Sequence, residues 1–152
     1  MKVLVMDGVK EAGLKPLRDR EDIELVIGSK MTEDELCACI GEYDAMIVRS
    51  ATKVTAKVFD AGSKLKVVGR AGVGVDNIDL NAATRNGVLV VNAPDGNTIA
   101  ACEHTLAMMF ALARQIPEAV TKTVKEKKWD KKAFMGFELR GKTLAIIGMG
   151  RI

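Results

Sequence analysis

Short apolar runs rich in β-branched residues alternate with helix-forming stretches along the front of the chain, and this alternation restricts the fold more than any other feature. Residues 2–6 (KVLVM), 23–27 (IELVI), 45–48 (AMIV), 65–68 (LKVV) and 88–91 (VLVV) read as strands. Between them Leu14 and Leu17 mark a short helix. Thr32 precedes Glu35 by three positions, the spacing of a capping box, and opens a helix over 33–40. Residues 53–61, with Val54, Val58 and Phe59, and residues 80–84 supply two more helices. Short continuous strands of this kind belong to a sheet covered by helices on both faces, not to an alternating, half-wet one. Repeated β–α order then implies an open parallel α/β fold with right-handed crossovers.

This first domain is expected over residues 1–95. Pro94-Asp95-Gly96-Asn97 follows as a turn, with Asn97 or Thr98 as the cap of the next helix. That helix, 99–114, is apolar nearly all round and is expected to be buried on most sides. Pro117 precedes a charged, exposed helix over 118–127, and 134–141 lead into an expected buried strand at 143–147. Gly148-Met149-Gly150-Arg151-Ile152 then matches the opening of G-x-G-x-x-G. In that motif the first glycine makes a tight turn and the second lets the backbone approach a pyrophosphate. Residues 96–152 thus read as an interdomain helix followed by the first strand and glycine loop of a dinucleotide-binding domain. The expectation is the front portion of a longer enzyme.

Composition excludes several classes. An apolar fraction of 48% with 28% charged residues is globular, not disordered. A net charge of +3 is too small to imply a nucleic-acid or membrane partner. The run 122–132 (KTVKEKKWDKK) holds six lysines around Trp129, but Glu126 and Asp130 dilute it. It reads as a solvated face with an anchoring tryptophan. No apolar run approaches the ~20 residues that span a bilayer, and no signal-like leader opens the chain. Cys37, Cys39 and Cys102 have no zinc-type spacing and read as reduced thiols, so no metal site and a cytoplasmic location are expected.

In open α/β sheets ligands bind beyond the carboxyl ends of the strands. Those ends here are Asp7-Gly8, Arg49-Ser50-Ala51-Thr52, the stretch 69–77 (GRAGVGVDN) and Asn92 to Asn97. Two guanidinium groups, hydroxyls, amides and a glycine loop with accessible N–H groups would suit a small anion. The alternative is that Arg49 and Arg70 merely cap strand ends by pairing with Asp7 or Asp76. Gly72-x-Gly74-x-x-Asn77 follows a strand, but it lacks the third glycine and a long helix. It suits contact through backbone N–H better than a pyrophosphate site. His104, the only histidine, sits within the apolar helix on the face of Ala100, Ala101, Ala107 and Ala111 and reads as a packed, hydrogen-bonded residue.

Several segments together resemble the NAD-dependent D-2-hydroxyacid dehydrogenases, in the branch that acts on 3-phosphoglycerate. They are VRSATKV (48–54), VVGRAGVGVDNID (67–79), NAPDGNT (92–98), ARQIP (113–117) and FMGFELRGKTLAIIGMGRI (134–152). The resemblance implies a flavodoxin-like, parallel-sheet substrate-binding domain running into the start of a Rossmann domain. It implies hydride transfer from C2 of 3-phosphoglycerate to NAD, giving 3-phosphohydroxypyruvate for serine synthesis. On this resemblance Arg49, Ser50, Arg70, Gly72, Val73, Gly74 and Asn97 face substrate. Val73, Gly148, Gly150, Arg151 and Ile152 face the cofactor. The family's histidine base, its glutamate partner and its third arginine have no counterpart among these residues, so no catalytic residue is assigned. The resemblance also implies a homo-oligomer. A different class, a stand-alone, non-catalytic α/β module that binds small anions, fits the same strand-end residues.

Overall fold

The computed structural model describes residues 1–152 as two compact units, Met1–Gly96 and Asn97–Ile152. The first contains five parallel strands: β1 (Lys2–Val5), β2 (Glu24–Ile27), β3 (Ala45–Val48), β4 (Val67–Arg70) and β5 (Leu89–Asn92). Their order across the sheet is β2-β1-β3-β4-β5. This is the flavodoxin-like order, in which the chain reverses direction of travel between β1 and β3. Four helices connect the strands: α1 (Glu11–Arg18), α2 (Glu33–Cys39), α3 (Ala56–Ala61) and α4 (Leu80–Arg85).

The capping box forms as expected. The Glu35 amide donates to Thr32 Oγ1 (3.3 Å) and the Thr32 amide donates to Glu35 Oε2 (2.7 Å), which starts α2 sharply. Strands β4 and β5 begin later than their apolar runs suggested. Leu65 and Val88 enter the core from the preceding turns, while Arg70 and Asn92 are drawn into the ladder opposite Val48 and each other. That late register puts a guanidinium and an amide at the carboxyl edge.

Alternate strand residues divide the core. Leu4, Met6, Met46, Val48 and Val68 pack with Leu36, Ile40, Val58, Phe59, Ala82 and Ala83 from α2, the turn after it, α3 and α4. Val3, Val5 and Ala45 point the other way, where Leu14 of α1 is the buried helical side chain that covers them. Each such side chain taken from water is worth about 1.5–3 kcal/mol. The second face therefore hangs on far fewer groups than the first.

The second unit holds α5 (Thr98–Ala113), α6 (Ile116–Val120), a π-helical turn at Thr121–Lys125 and a short turn at Lys132–Phe134. Gly136 explains part of the FMG sequence. A Cβ there would stand 2.0 Å from the Ala113 carbonyl oxygen, which accepts the Phe137 amide at 2.8 Å and closes the end of α5. Three expectations fail in this unit. Residues 143–147 form no strand, and Ile147 is fully exposed, because the unit offers no second strand to pair with them. The apolar helix α5 exposes Ile99, Leu106, Met108, Phe110 and Leu112, since the elements beside it cover only part of its circumference. His104 is consequently exposed on α5 and not packed.

Trp129 is also 73% exposed with the Lys131 ammonium 6.0 Å from its ring, so it anchors nothing. The lysine run is solvated, as expected. The three cysteines are free thiols.

Replacing Leu14 by Ala should cost about 2–5 kcal/mol in urea unfolding of the first unit, because α1 supplies no second buried side chain to fill the void. A loss below about 1 kcal/mol would show that α1 does not secure that face.

Candidate anion site at the strand ends

The carboxyl edge of the sheet brings together the ends of β1, β3, β4 and β5. Asp7 follows β1 with φ of 62°, and Gly8 repeats that left-handed geometry. The two residues turn the chain off the sheet and leave the Asp7 carboxylate beside the loop after β3. Its Oδ2 accepts the amides of Arg49 (2.8 Å) and Thr52 (3.0 Å), and its Oδ1 accepts the Thr52 hydroxyl (2.7 Å).

Partial burial pushes this carboxyl up. The Thr52 hydroxyl and the amides of Thr52, Arg49 and Ala51 push it down harder, so it ends below the usual carboxylate range.

From the opposite side, Asn77 Nδ2 donates to the carbonyl oxygens of Arg49 (2.8 Å) and Thr52 (2.7 Å). Two acceptors fix which way that amide points, and its Oδ1 is left buried without a partner. The loop Arg49-Ser50-Ala51-Thr52 is thus tied at both ends. Neither arginine forms an ion pair with Asp7 or Asp76, so the capping alternative fails. The Arg49 side chain is exposed and its guanidinium makes no hydrogen bond. Arg70 is half-buried, and its Nε is buried without an acceptor.

The Arg70 guanidinium lies over Gly72, where a Cβ would stand 1.6 Å from Nη1. Glycine leaves room for that approach. The loop after β4 is held by β5: Asn92 Nδ2 donates to the Val73 carbonyl (2.7 Å), and the Ala93 amide donates to the Gly72 carbonyl (3.0 Å). With the carbonyls of Gly72 and Val73 so engaged, the amides of Val73 and Gly74 donate to no protein acceptor. No helix starts directly after them, since α4 begins at Leu80. Asp76 follows closely, its Oδ1 2.9 Å from where a Cβ on Gly74 would stand.

Arg49, Ser50, Arg70, Gly72, Val73 and Gly74 therefore share the strand-end edge of the first unit. Asn97 opens the second unit as the residue before α5, with no side-chain cap bond. Gly148, Gly150, Arg151 and Ile152 lie in an exposed segment of that unit, with Gly148 at φ of 93°. Asp7, Thr52, Asn77 and Asn92 escaped assignment from sequence. Their signal was weak: each is a polar residue at or just past a strand end.

The family model for the D-isomer specific 2-hydroxyacid dehydrogenase catalytic domain matches residues 3–134. The chain belongs to this family. The D-3-phosphoglycerate dehydrogenase of Synechocystis sp. is 54% identical over 151 residues, 99% of this chain and 27% of that relative. The chain thus spans just over a quarter of the length of the curated relatives it matches. Among solved structures, the TT0316 protein of Thermus thermophilus is 32% identical, with a TM-score of 0.86 over 99% of this chain and 50% of that one. The NAD+-bound 3-phosphoglycerate dehydrogenase of Entamoeba histolytica is 28% identical, with a TM-score of 0.68 over 91% of this chain and 43% of that one.

Within this member of the 2-hydroxyacid dehydrogenase family, the depressed Asp7 carboxyl makes the Arg49–Thr52 loop acid-sensitive. A carboxyl whose folded pKa lies below its unfolded value, near ~3.9, stabilises the fold above that value. The contribution is lost as pH falls through the lower, folded value. NMR titration should show the Arg49 and Thr52 amides following Asp7 at a midpoint below that of a free aspartate. A midpoint at or above the free value would refute the network.

Proposed function

We propose that this chain supplies the hydroxy-acid-binding part of a D-3-phosphoglycerate dehydrogenase, with the first unit as substrate domain and residues 96–152 leading into the cofactor domain. The observation that carries the reading is a pair of arginines, neither in an ion pair, set beside acceptor-free backbone amides at one sheet edge. Arg49 and Arg70 would grip the phosphate and carboxylate of 3-phosphoglycerate, since guanidinium forks match both groups. The amides of Val73 and Gly74 and the side chain of Ser50 would complete the hydrogen bonding and orient C2. Curated relatives at 51–54% identity, named D-3-phosphoglycerate dehydrogenase, favour this reading over a stand-alone anion-binding module.

NAD is the cofactor of this proposal, and when bound it supplies the nicotinamide that accepts hydride from C2. The glycine segment is compatible with it. Gly148 holds the left-handed turn, and neither Gly148 nor Gly150 has an atom within 4 Å of where a Cβ would stand. Gly148, Gly150, Arg151 and Ile152 would meet the pyrophosphate through backbone. Homo-oligomeric assembly belongs to the same proposal and rests on the family likeness alone. No helix is long and apolar enough to cross a membrane.

The arginines, the amides and Ser50 would bind and orient, and none of them is a proton acceptor for the C2 hydroxyl. Asp7 is engaged by several donors, and His104 stands exposed on α5 in the other unit. The 152-residue chain should therefore bind 3-phosphoglycerate without forming NADH. In calorimetric titration Arg49→Ala and Arg70→Ala should each weaken binding about tenfold or more, the worth of a lost charge-assisted hydrogen bond. D-glycerate, which lacks the phosphate, should bind correspondingly less well. Equal affinity for D-glycerate, or arginine variants that bind like the parent, would count against the site. NADH formation by the chain itself would overturn the claim that it lacks a base.

A further inference from the structure

We infer that Asp7 and Asn77 are positioning residues for anion recognition, acting through the Arg49–Thr52 loop; this rests on the substrate reading of Arg49 given above. Arg49 has no side-chain partner, so within the protein only its backbone fixes where the side chain starts. That backbone is fixed by two side chains from different elements. Asp7 takes the amides of Arg49 and Thr52, and Asn77 feeds the carbonyls of the same two residues. One tetrapeptide thus has four main-chain groups anchored by a carboxylate on one flank and a carboxamide on the other. Ser50 and Ala51 are left at the tip.

The local chemistry shows what each anchor sacrifices to do this. Asp7 occupies a left-handed conformation that a glycine adopts more easily, and the next position, Gly8, already has one. The turn therefore does not require Asp7, but the loop requires its carboxylate. Asn77 leaves its own Oδ1 buried and unpaired while its NH2 group serves two carbonyls. It is itself locked in place, because its carbonyl accepts the Val54 amide at 2.8 Å and Val54 bridges to Ile78. A loop backbone ordered before ligand arrives spares part of the ordering cost on binding and fixes the point from which the Arg49 side chain reaches out.

Isosteric exchanges separate positioning from folding. Asp7→Asn turns one acceptor toward N–H donors as a donor, and Asn77→Asp sets a carboxylate against two carbonyls. Each should raise the dissociation constant for 3-phosphoglycerate about tenfold, within the range a misplacement of about 1 Å produces. Amide protection in β1 and β4 should stay at the parent level. Thr52→Val, which deletes only the hydroxyl donor to Asp7, should weaken binding in the same direction, and Thr52→Ser should restore it. In an Arg49→Ala background Asp7→Asn should add less than about twofold, because neighbours that act as one are not additive.

The inference is overturned if Asp7→Asn and Thr52→Val both leave affinity intact while Arg49→Ala lowers it; the site then stands without its clamp. An affinity loss that persists in full in the Arg49→Ala background also overturns it. If Arg49→Ala itself has no effect, the substrate reading falls and the clamp falls with it.

Discussion

Parallel pairing of β1 with β3 is the constraint on which the rest of the first unit depends. Val3, Leu4 and Val5 stand opposite Ala45, Met46 and Ile47, and the Met6 amide extends the ladder to the Ile47 carbonyl at 2.8 Å. Because β2 lies on the other side of β1, the chain must leave the sheet in opposite directions at neighbouring strands. The crevice this opens at the carboxyl edge is where ligands bind in such sheets. Asp7, at the end of β1, spans the reversal point by holding the loop after β3. Burial of Leu4, Met6, Met46 and Val48 makes the register non-negotiable, since a slip of one residue would turn these side chains out of the core.

The edge is built by a division of labour among polar residues. Carbonyls of the two loops are consumed by Asn77 and Asn92, and amides of the first loop by Asp7. What remains unpaired includes Arg49, the Arg70 Nε and the amides of Val73 and Gly74, together with the buried Asn77 Oδ1. Glycine at 72 leaves room for the close passage of the Arg70 guanidinium. The cavity of about 270 Å³ beside the same loop, lined by Ala51 and Thr52 together with Met31, Glu33, Leu36 and Lys53, is more mixed in character. Its Glu33 is already bonded to Thr55, so it competes poorly as an anion site.

Much of the first unit was legible in the sequence because its strands are short, apolar and punctuated by strong helix signals. The capping pair Thr32 and Glu35 is the clearest case, since a local pattern of three-residue spacing maps onto a local hydrogen-bond pair. The arginines could be placed at strand ends for the same reason. Asp7 and Asn77 could not be assigned, because their partners lie 25 to 45 positions away and only the folded sheet brings them together. The second unit shows the opposite limit. Apolar content along α5 and residues 143–147 signals that these segments favour burial, but periodicity says nothing about which surface covers them. A strand is a relation between two segments, and within Asn97–Ile152 there is only one.

The most direct test of this account is a crystal structure of the chain with 3-phosphoglycerate. The account requires the ligand at the carboxyl edge, its anionic groups on Arg49 and Arg70 and an oxygen on the amides of Val73 and Gly74, with the Asp7 and Asn77 bonds unchanged. Ligand seated elsewhere, whether on the lysine run around Trp129 or in the cavity beside Glu33, would contradict it. So would a bound ligand that leaves both arginines unengaged.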